Sequence, residues 1–174
     1  NDGMSSTRSG FRLDMASLEN NVIKLRADFF DSEARNYFQS LQSSNGNPNH
    51  KVNTGGNIVV NWDKTISKKS RTALQTYAYY DRNNFNIGDY KQTTFDVDFQ
   101  HFYDFSDRSS FTWGLGYRNL IDDIEDSTAI AGGNVYTPVT YTPKERNISI
   151  VSAFIQEQYA IIPDDLFITI GSKF

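Results

Sequence analysis

Along much of this chain every second residue is apolar. The clearest run is TTFDVDFQHFYDF, in which Phe95, Val97, Phe99, His101, Tyr103 and Phe105 fall on one side. Thr94, Asp96, Asp98, Gln100, Phe102 and Asp104 fall on the other. Successive side chains of a strand point to opposite faces, so this alternation predicts a strand with one apolar and one polar face.

The same device recurs on either side. Residues 7–16 set Phe11, Leu13 and Met15 against Arg12 and Asp14. Residues 21–30 set Ile23, Leu25, Ala27 and Phe29 against Lys24, Arg26 and Asp28. Residues 56–66 put Ile58, Val60 and Trp62 opposite Asn57, Asn61 and Asp63. A fourth strand spans residues 71–82, and the fifth, just described, ends at the turn Ser106-Asp107-Arg108-Ser109. Residues 110–119 put Phe111, Trp113, Leu115 and Tyr117 on one side. In residues 146–162 two sets compete for the apolar face: Ile148, Ile150 and Phe154 against Val151, Ala153, Ile155, Tyr159 and Ile161. Pro163-Asp164-Asp165 turns the chain into an eighth strand, residues 166–174.

The links alternate in length. Long loops are predicted at about residues 31–55 and 120–145, and a medium one at 83–91; the rest are tight turns. The 31–55 loop contains SSNGNPNH, whose Asn, Gly, Pro and Ser content suits irregular backbone. Within the second, LIDDIEDSTAI admits a short helix. Tight turns thus gather at one end of the sheet and longer loops at the other. Membrane β-barrels show this asymmetry, with short periplasmic turns and long outer loops. The predicted class is all-β: an antiparallel up-and-down meander of about eight strands in one domain, residues 1–174, part of a transmembrane β-barrel.

Composition narrows the chemistry. The net charge is only −4, which argues against a nucleic-acid surface. There are no cysteines, so disulfides and thiolate chemistry are excluded. Two histidines are too few and too far apart to suggest a histidine-built metal site. No metal and no cofactor is expected. No apolar run is long enough for a membrane helix, but a membrane strand needs only about ten residues with every second one apolar. The start at Asn1 reads as a segment of a longer precursor. There is no GxSxG, HExxH or Walker loop, and no enzyme activity is expected.

The stretches LQTYAYYDRNN, TTFDVDFQHFYDFSDRSSFTWGLGYR and SAFIQEQYAIIPDDLFITIGSKF resemble the barrel of TonB-dependent outer-membrane receptors. GFRLDMASLENNVIKLRADFFDSEA and GGNIVVNWDKTIS fit the strands that precede these in the family. The resemblance lies in successive strands and turns and covers nearly all of the chain outside the two long loops. It implies a mid-barrel segment of a bacterial outer-membrane transporter, without its plug domain. Such receptors bring iron–siderophore complexes, haem, cobalamin or sugars into the periplasm, driven by TonB. The implied partners are outer-membrane lipid, a plug domain and TonB in the full-length protein, and a small molecule such as a ferric siderophore. No nucleic acid is implied.

The candidate binding residues lie in or beside the longer loops: Tyr37, Phe38, Tyr79, Tyr80, Arg82, Phe85, Tyr90 and Tyr136. Aromatics with an arginine suit an aromatic, anionic ligand, through stacking and charge-assisted hydrogen bonds. Aromatic girdles at the two membrane interfaces are the ligand-free alternative. The mixed charges Arg12, Asp14, Lys24, Arg26, Asp28, Asp96, Asp98 and Arg118 read as a ligand path or as paired charges lining a lumen. Asp122, Asp123, Glu125 and Asp126 read as a solvated loop, with a calcium site as the sharper alternative. Two rival functions stay open. One is a soluble eight-stranded barrel around a small apolar ligand, with the apolar residues inward. The other is a structural or adhesion module.

Overall fold

The computed structural model describes residues 3–17, 20–36, 49–85, 88–126, 129–131, 133–137 and 139–174. The strands are β1 (Gly3–Ser17), β2 (Asn21–Asn36), β3 (Asn49–Ser67), β4 (Ser70–Phe85), β5 (Gly88–Ser106) and β6 (Ser109–Asp126). Then come β7 (Ala129–Ala131), β8 (Asn134–Tyr136), β9 (Glu145–Ile162) and β10 (Leu166–Lys173). Eight strands form one antiparallel sheet in the order β1-β2-β3-β4-β5-β6-β9-β10; β7 and β8 make a separate hairpin. The sheet is a meander, as the alternation predicted. It is open: β1 pairs only with β2, and β10 only with β9.

The predicted strands are all present, but those at the loop end are longer. β2 and β3 stay paired out to Asn36 opposite Asn49, so much of the expected 31–55 loop is ladder. Residues 83–91 are not a loop, because β4 and β5 pair up to Phe85 opposite Gly88. β6 continues to Asp126, paired with β5 throughout, so residues 120–126 are strand and not the start of a helix. The hairpin β7–β8 then occupies part of the expected 120–145 loop. In these stretches neither face carries a continuous apolar run. The hydrogen-bonded neighbour, not an apolar face, holds the strand.

The tight turns follow local chemistry. Asn20 has φ 59° and Asp164 φ 67°, left-handed positions that Asn and Asp tolerate best after glycine. At the β5–β6 turn the Ser106 hydroxyl accepts hydrogen bonds from the N–H groups of Arg108 and Ser109.

Directly opposite residues in adjacent strands share a face. The register therefore sorts every side chain. Leu13, Leu25, Val60, Thr76, Val97, Tyr117 and Val151 form one continuous row across the sheet. It also resolves the ambiguous strand β9. Val151, Ala153 and Ile155 lie opposite Tyr117, Leu115 and Trp113 on the apolar face; Ile148, Ile150, Ser152 and Phe154 lie on the polar one.

The polar face is the concave one. Asn61 of β3, Gln75 of β4, Asp98 of β5, Arg118 of β6, Ser152 of β9 and Lys173 of β10 line a single cleft of about 720 Å³. Residues so far apart in the strand order meet one cleft only if the sheet curls toward its polar side. The apolar face is convex and exposed: Leu115 is 53 % exposed and Val151 75 %. Among the described residues the one buried hydrophobic is Ala160. The fold is held by its ladders and side-chain pairs, not by an interior apolar core.

Candidate functional site

The convex face has defined limits. On β5 the apolar residues run from Phe95 to Phe105; the next residues on that face toward the loop end are Thr93, Lys91 and Asp89. One row, Phe29, Gly56, Tyr80, Thr93, Ile121 and Asn147, ends the apolar band. The next row is Asp31, Thr54, Arg82, Lys91, Asp123 and Glu145. Arg82 and Lys91 of this row are in ion pairs. Arg82 Nε donates to both oxygens of Asp89 at 3.0–3.1 Å. Lys91 Nζ meets Glu125 at 2.5 Å, and Thr54 donates to Asp31 at 2.7 Å. The limit is level from Phe29 on β2 to Ile121 on β6. On β9 the band ends two rows lower, at Val151.

At the turn end the convex face carries an aromatic patch. The Trp113 indole N–H donates to His101 Nδ1 at 3.1 Å, and His101 Nε2 lies 2.9 Å from Ser70 Oγ. Tyr103 and Phe105 meet edge-on at 4.9 Å, and Phe105 meets Phe111 at 6.1 Å. Tyr103, Phe105 and Phe111 lie beside the Ser106–Ser109 turn.

The concave face is polar and largely paired. Arg118 binds Asp96 at 2.7 Å, Arg12 binds Asp14 at 2.7 Å, and Gln100 donates to Asp98 at 2.9 Å. Arg71 lies 4.3 Å over the ring of Phe102. Paired charges thus describe much of this surface, as the second reading of the mixed charges held.

Toward the loop end this face changes character. Tyr77 and Tyr79, two residues apart on β4, stack with ring centroids 6.3 Å apart and planes 10° apart. Asp81 follows on the same face and is buried, accepting hydrogen bonds from Asn83 at 2.5 Å and from Tyr79. Across the ladder Asp122 accepts from the Tyr90 hydroxyl at 3.0 Å and from Gln92 at 3.1 Å. Ser32, Ala34, Lys51, Asn53, Asn83 and Tyr90 line a cavity of about 560 Å³. That volume is in the range of small-molecule sites. The side-chain oxygen of Asn53 is itself buried, without a hydrogen-bond partner among the described residues. Burial pushes the Asp81 carboxyl above the usual carboxylate range. Burial, with the Asp122 hydrogen bond second, pushes the Tyr90 hydroxyl up to about 12.

The predicted site residues therefore divide. Tyr79 and Tyr90 face the concave side and stand beside one cluster of carboxylates. Tyr80 and Arg82 project from the convex side, directly opposite Thr93 and Lys91. Arg82 is occupied by Asp89, so a stacked tyrosine and a free arginine do not meet on one face. Phe85 ends β4, and Tyr136 ends β8 opposite Ala129. Tyr37 and Phe38 lie outside the described residues. Asp81, Gln92 and Asn53 were not among the expected residues, and Asp122 was expected only as part of an acidic loop. Alternation within the strand expected at residues 71–82 already puts residues 77, 79 and 81 on one face. The acidic run is strand and not a solvated loop. Alternation sends Asp122 and Asp126 to the concave face and Asp123 and Glu125 to the convex one. Among the described residues no group of three or more His, Asp or Glu is placed to hold a metal ion.

No family model matches the chain, and no curated protein does. No helix of the described residues is long and apolar enough to cross a membrane, which says nothing of strands.

Proposed function

We propose that this chain is part of the wall of a bacterial outer-membrane β-barrel that takes up a small polar nutrient. The observation that carries the reading is the sidedness of the curl: the polar face is concave and the apolar face is convex and exposed. A soluble barrel has the opposite sidedness, with its apolar residues inward. The band also has a suitable height. From Phe95 to Phe105 is ten steps along β5, about 34 Å; inclined at roughly 40°, this spans about 26 Å, against about 25 Å for the apolar belt of membrane barrels. The charged row beginning at Asp31 then lies at the water boundary, and the patch of Tyr103, Phe105 and Phe111 at the other interface.

On this reading the resemblance to TonB-dependent receptors supplies the mechanism. A small ligand is captured on the concave face and the outer loops. A plug domain pulled by TonB releases it inward, with no covalent chemistry. A ferric siderophore is the cargo the resemblance favours. Transport, the outer-membrane location and these partners are proposals.

The test uses Trp62 and Trp113, the chain's two tryptophans, both on the convex face. In bilayers containing brominated acyl chains, strong quenching of both is expected. Unquenched tryptophans in a folded, inserted sample would reverse the faces and end the proposal.

A further inference from the structure

The cleft of about 720 Å³ in the middle of the concave face is lined by polar side chains that the sheet leaves unused. Its floor is one ladder row: Asn61, Gln75, Asp98, Gly116 and Ser152. Gly116 leaves the floor bare between Asp98 and Ser152; a Cβ there would come within 2.6 Å of the Ser152 Oγ. Among the described residues the amides of Asn61 and Gln75 and the hydroxyl of Ser152 have no hydrogen-bond partner. Asp98 is held only by the amide of Gln100, at 2.9 Å.

The next ladder row toward the turns adds Asp63 on β3 and Lys173 on β10, and both line the cleft. Among the described residues neither is in an ion pair, whereas Arg118 and Asp96 in the same lining bind each other. Asp63 and Asp98 are half-buried, and Lys173 is exposed. Unpaired negative charge therefore lies on β3 and β5, and unpaired positive charge on β10. A cleft focuses the field of the charges that line it. Between the two signs stand Asn61 and Gln75, whose side-chain amides offer donors and an acceptor each, the complement of a peptide bond. A cleft of this volume is about 11 Å across if round, and three extended residues span at most about 11 Å.

We propose that this cleft binds a short zwitterionic peptide, its ammonium group against Asp63 and Asp98, its carboxylate against Lys173, and its amides on Asn61, Gln75 and Ser152. This rests on the reading of the concave face as the water-filled side, and it names the chemistry of what that side takes. It also sets aside a neutral polyol at this cleft, which would leave the charges at both ends unanswered.

The experiment is calorimetric titration of the detergent-solubilised chain with trialanine, which is zwitterionic at neutral pH. Trialanine amide, N-acetyltrialanine and the doubly blocked N-acetyltrialanine amide serve as comparisons. Saturable binding of trialanine is expected, about tenfold weaker when the amine is acetylated and about two- to fivefold weaker when the carboxyl is an amide. Lys173→Gln, at an exposed position that does not threaten the fold, is expected to weaken trialanine about two- to fivefold and not to weaken its amide. Asp63→Asn combined with Asp98→Asn is expected to weaken trialanine about tenfold and not to weaken N-acetyltrialanine. No saturable binding of trialanine, equal affinity for the doubly blocked peptide, or a loss in Lys173→Gln as large for the amide as for the free peptide overturns the proposal. Trialanine binding without tryptophan quenching by brominated lipid would instead retain the cleft and remove the membrane reading.

Discussion

The ring of Phe154 lies against Gly114, directly opposite it across the β6–β9 ladder. Phe30 does the same to Gly55 across β2 and β3. Both aromatics stand on the polar face, where alternation alone does not call for them. Each covers backbone that a glycine leaves bare, a pairing known to steady glycine-containing strands. A Cβ at Gly114 would run into the Phe154 ring and come within 2.7 Å of the Phe99 carbonyl oxygen. Gly114→Ala is therefore expected to destabilise the sheet by about 1–3 kcal/mol, as overpacking does. Denaturant unfolding in detergent checks this. Phe154→Ala should also destabilise, and the double variant should lose less than the sum of the two. Strict additivity would mean that the ring and the glycine do not interact.

On the convex face, Trp113 and His101 satisfy each other. An indole N–H can only donate, so His101 Nδ1 accepts, and Nε2 carries the proton that it donates to Ser70. His101→Leu would leave the indole N–H unpaired on an apolar face, at a cost of about 1–3 kcal/mol. Adding Trp113→Phe removes the orphaned donor, and the double variant is expected to recover most of that loss. Equilibrium unfolding of the two variants reads this directly. A double variant no more stable than His101→Leu alone contradicts it.

The strands were legible wherever one face is apolar over several residues, as from Phe95 to Phe105 or from Phe11 to Met15. They were not legible where neither face carries a continuous apolar run. DSEARN at the end of β2 and DDIED at the end of β6 have no alternation; the ladder to the neighbouring strand extends them. β9 carried two apolar sets, and only pairing to Trp113 and Leu115 decides between them. The candidate site suffered from the same boundary error. With β4 stopped at residue 82, Tyr79, Tyr80 and Arg82 all seemed to border a loop. Within the strand, which continues to Phe85 with no loop beside it, Tyr79 lies on one face and Tyr80 and Arg82 on the other.

Tyr90 should be among the last tyrosines to ionise. Burial, and then the hydrogen bond to Asp122, raise its pKa from the ordinary value near 10 to about 12. A raised folded-state pKa stabilises the fold fully below the unfolded value, and that contribution fades as pH rises toward 12. Absorbance titration of phenolate formation should show a component that Tyr90→Phe removes from the high-pH end. Removal of a component near the ordinary tyrosine value would mean that Asp122 does not hold this hydroxyl.

The end of β6 is tied to the returning chain by one carboxylate. Asp126 Oδ1 accepts the Tyr141 N–H at 3.0 Å, and Oδ2 pairs with Lys144 Nζ at 2.6 Å. The Lys144 hydrogen bond, and then the Tyr141 amide, lower the Asp126 pKa below the usual aspartate value. The sign follows from linkage. A depressed folded-state pKa contributes stability above the unfolded pKa, about 3.9, and loses it as pH falls through the folded one. Acidification is thus expected to loosen residues 139–145 before the central ladders open. Hydrogen exchange at Tyr141, corrected for the intrinsic rate, should lose protection from about pH 6 to about pH 3, while Val97 in the middle of β5 keeps it. Asp126→Asn retains an acceptor for the Tyr141 amide but carries no charge for Lys144. It should show weaker protection at neutral pH and no further loss on acidification. Protection in the native chain that is the same at both pH values would show that the carboxylate does not hold this strap.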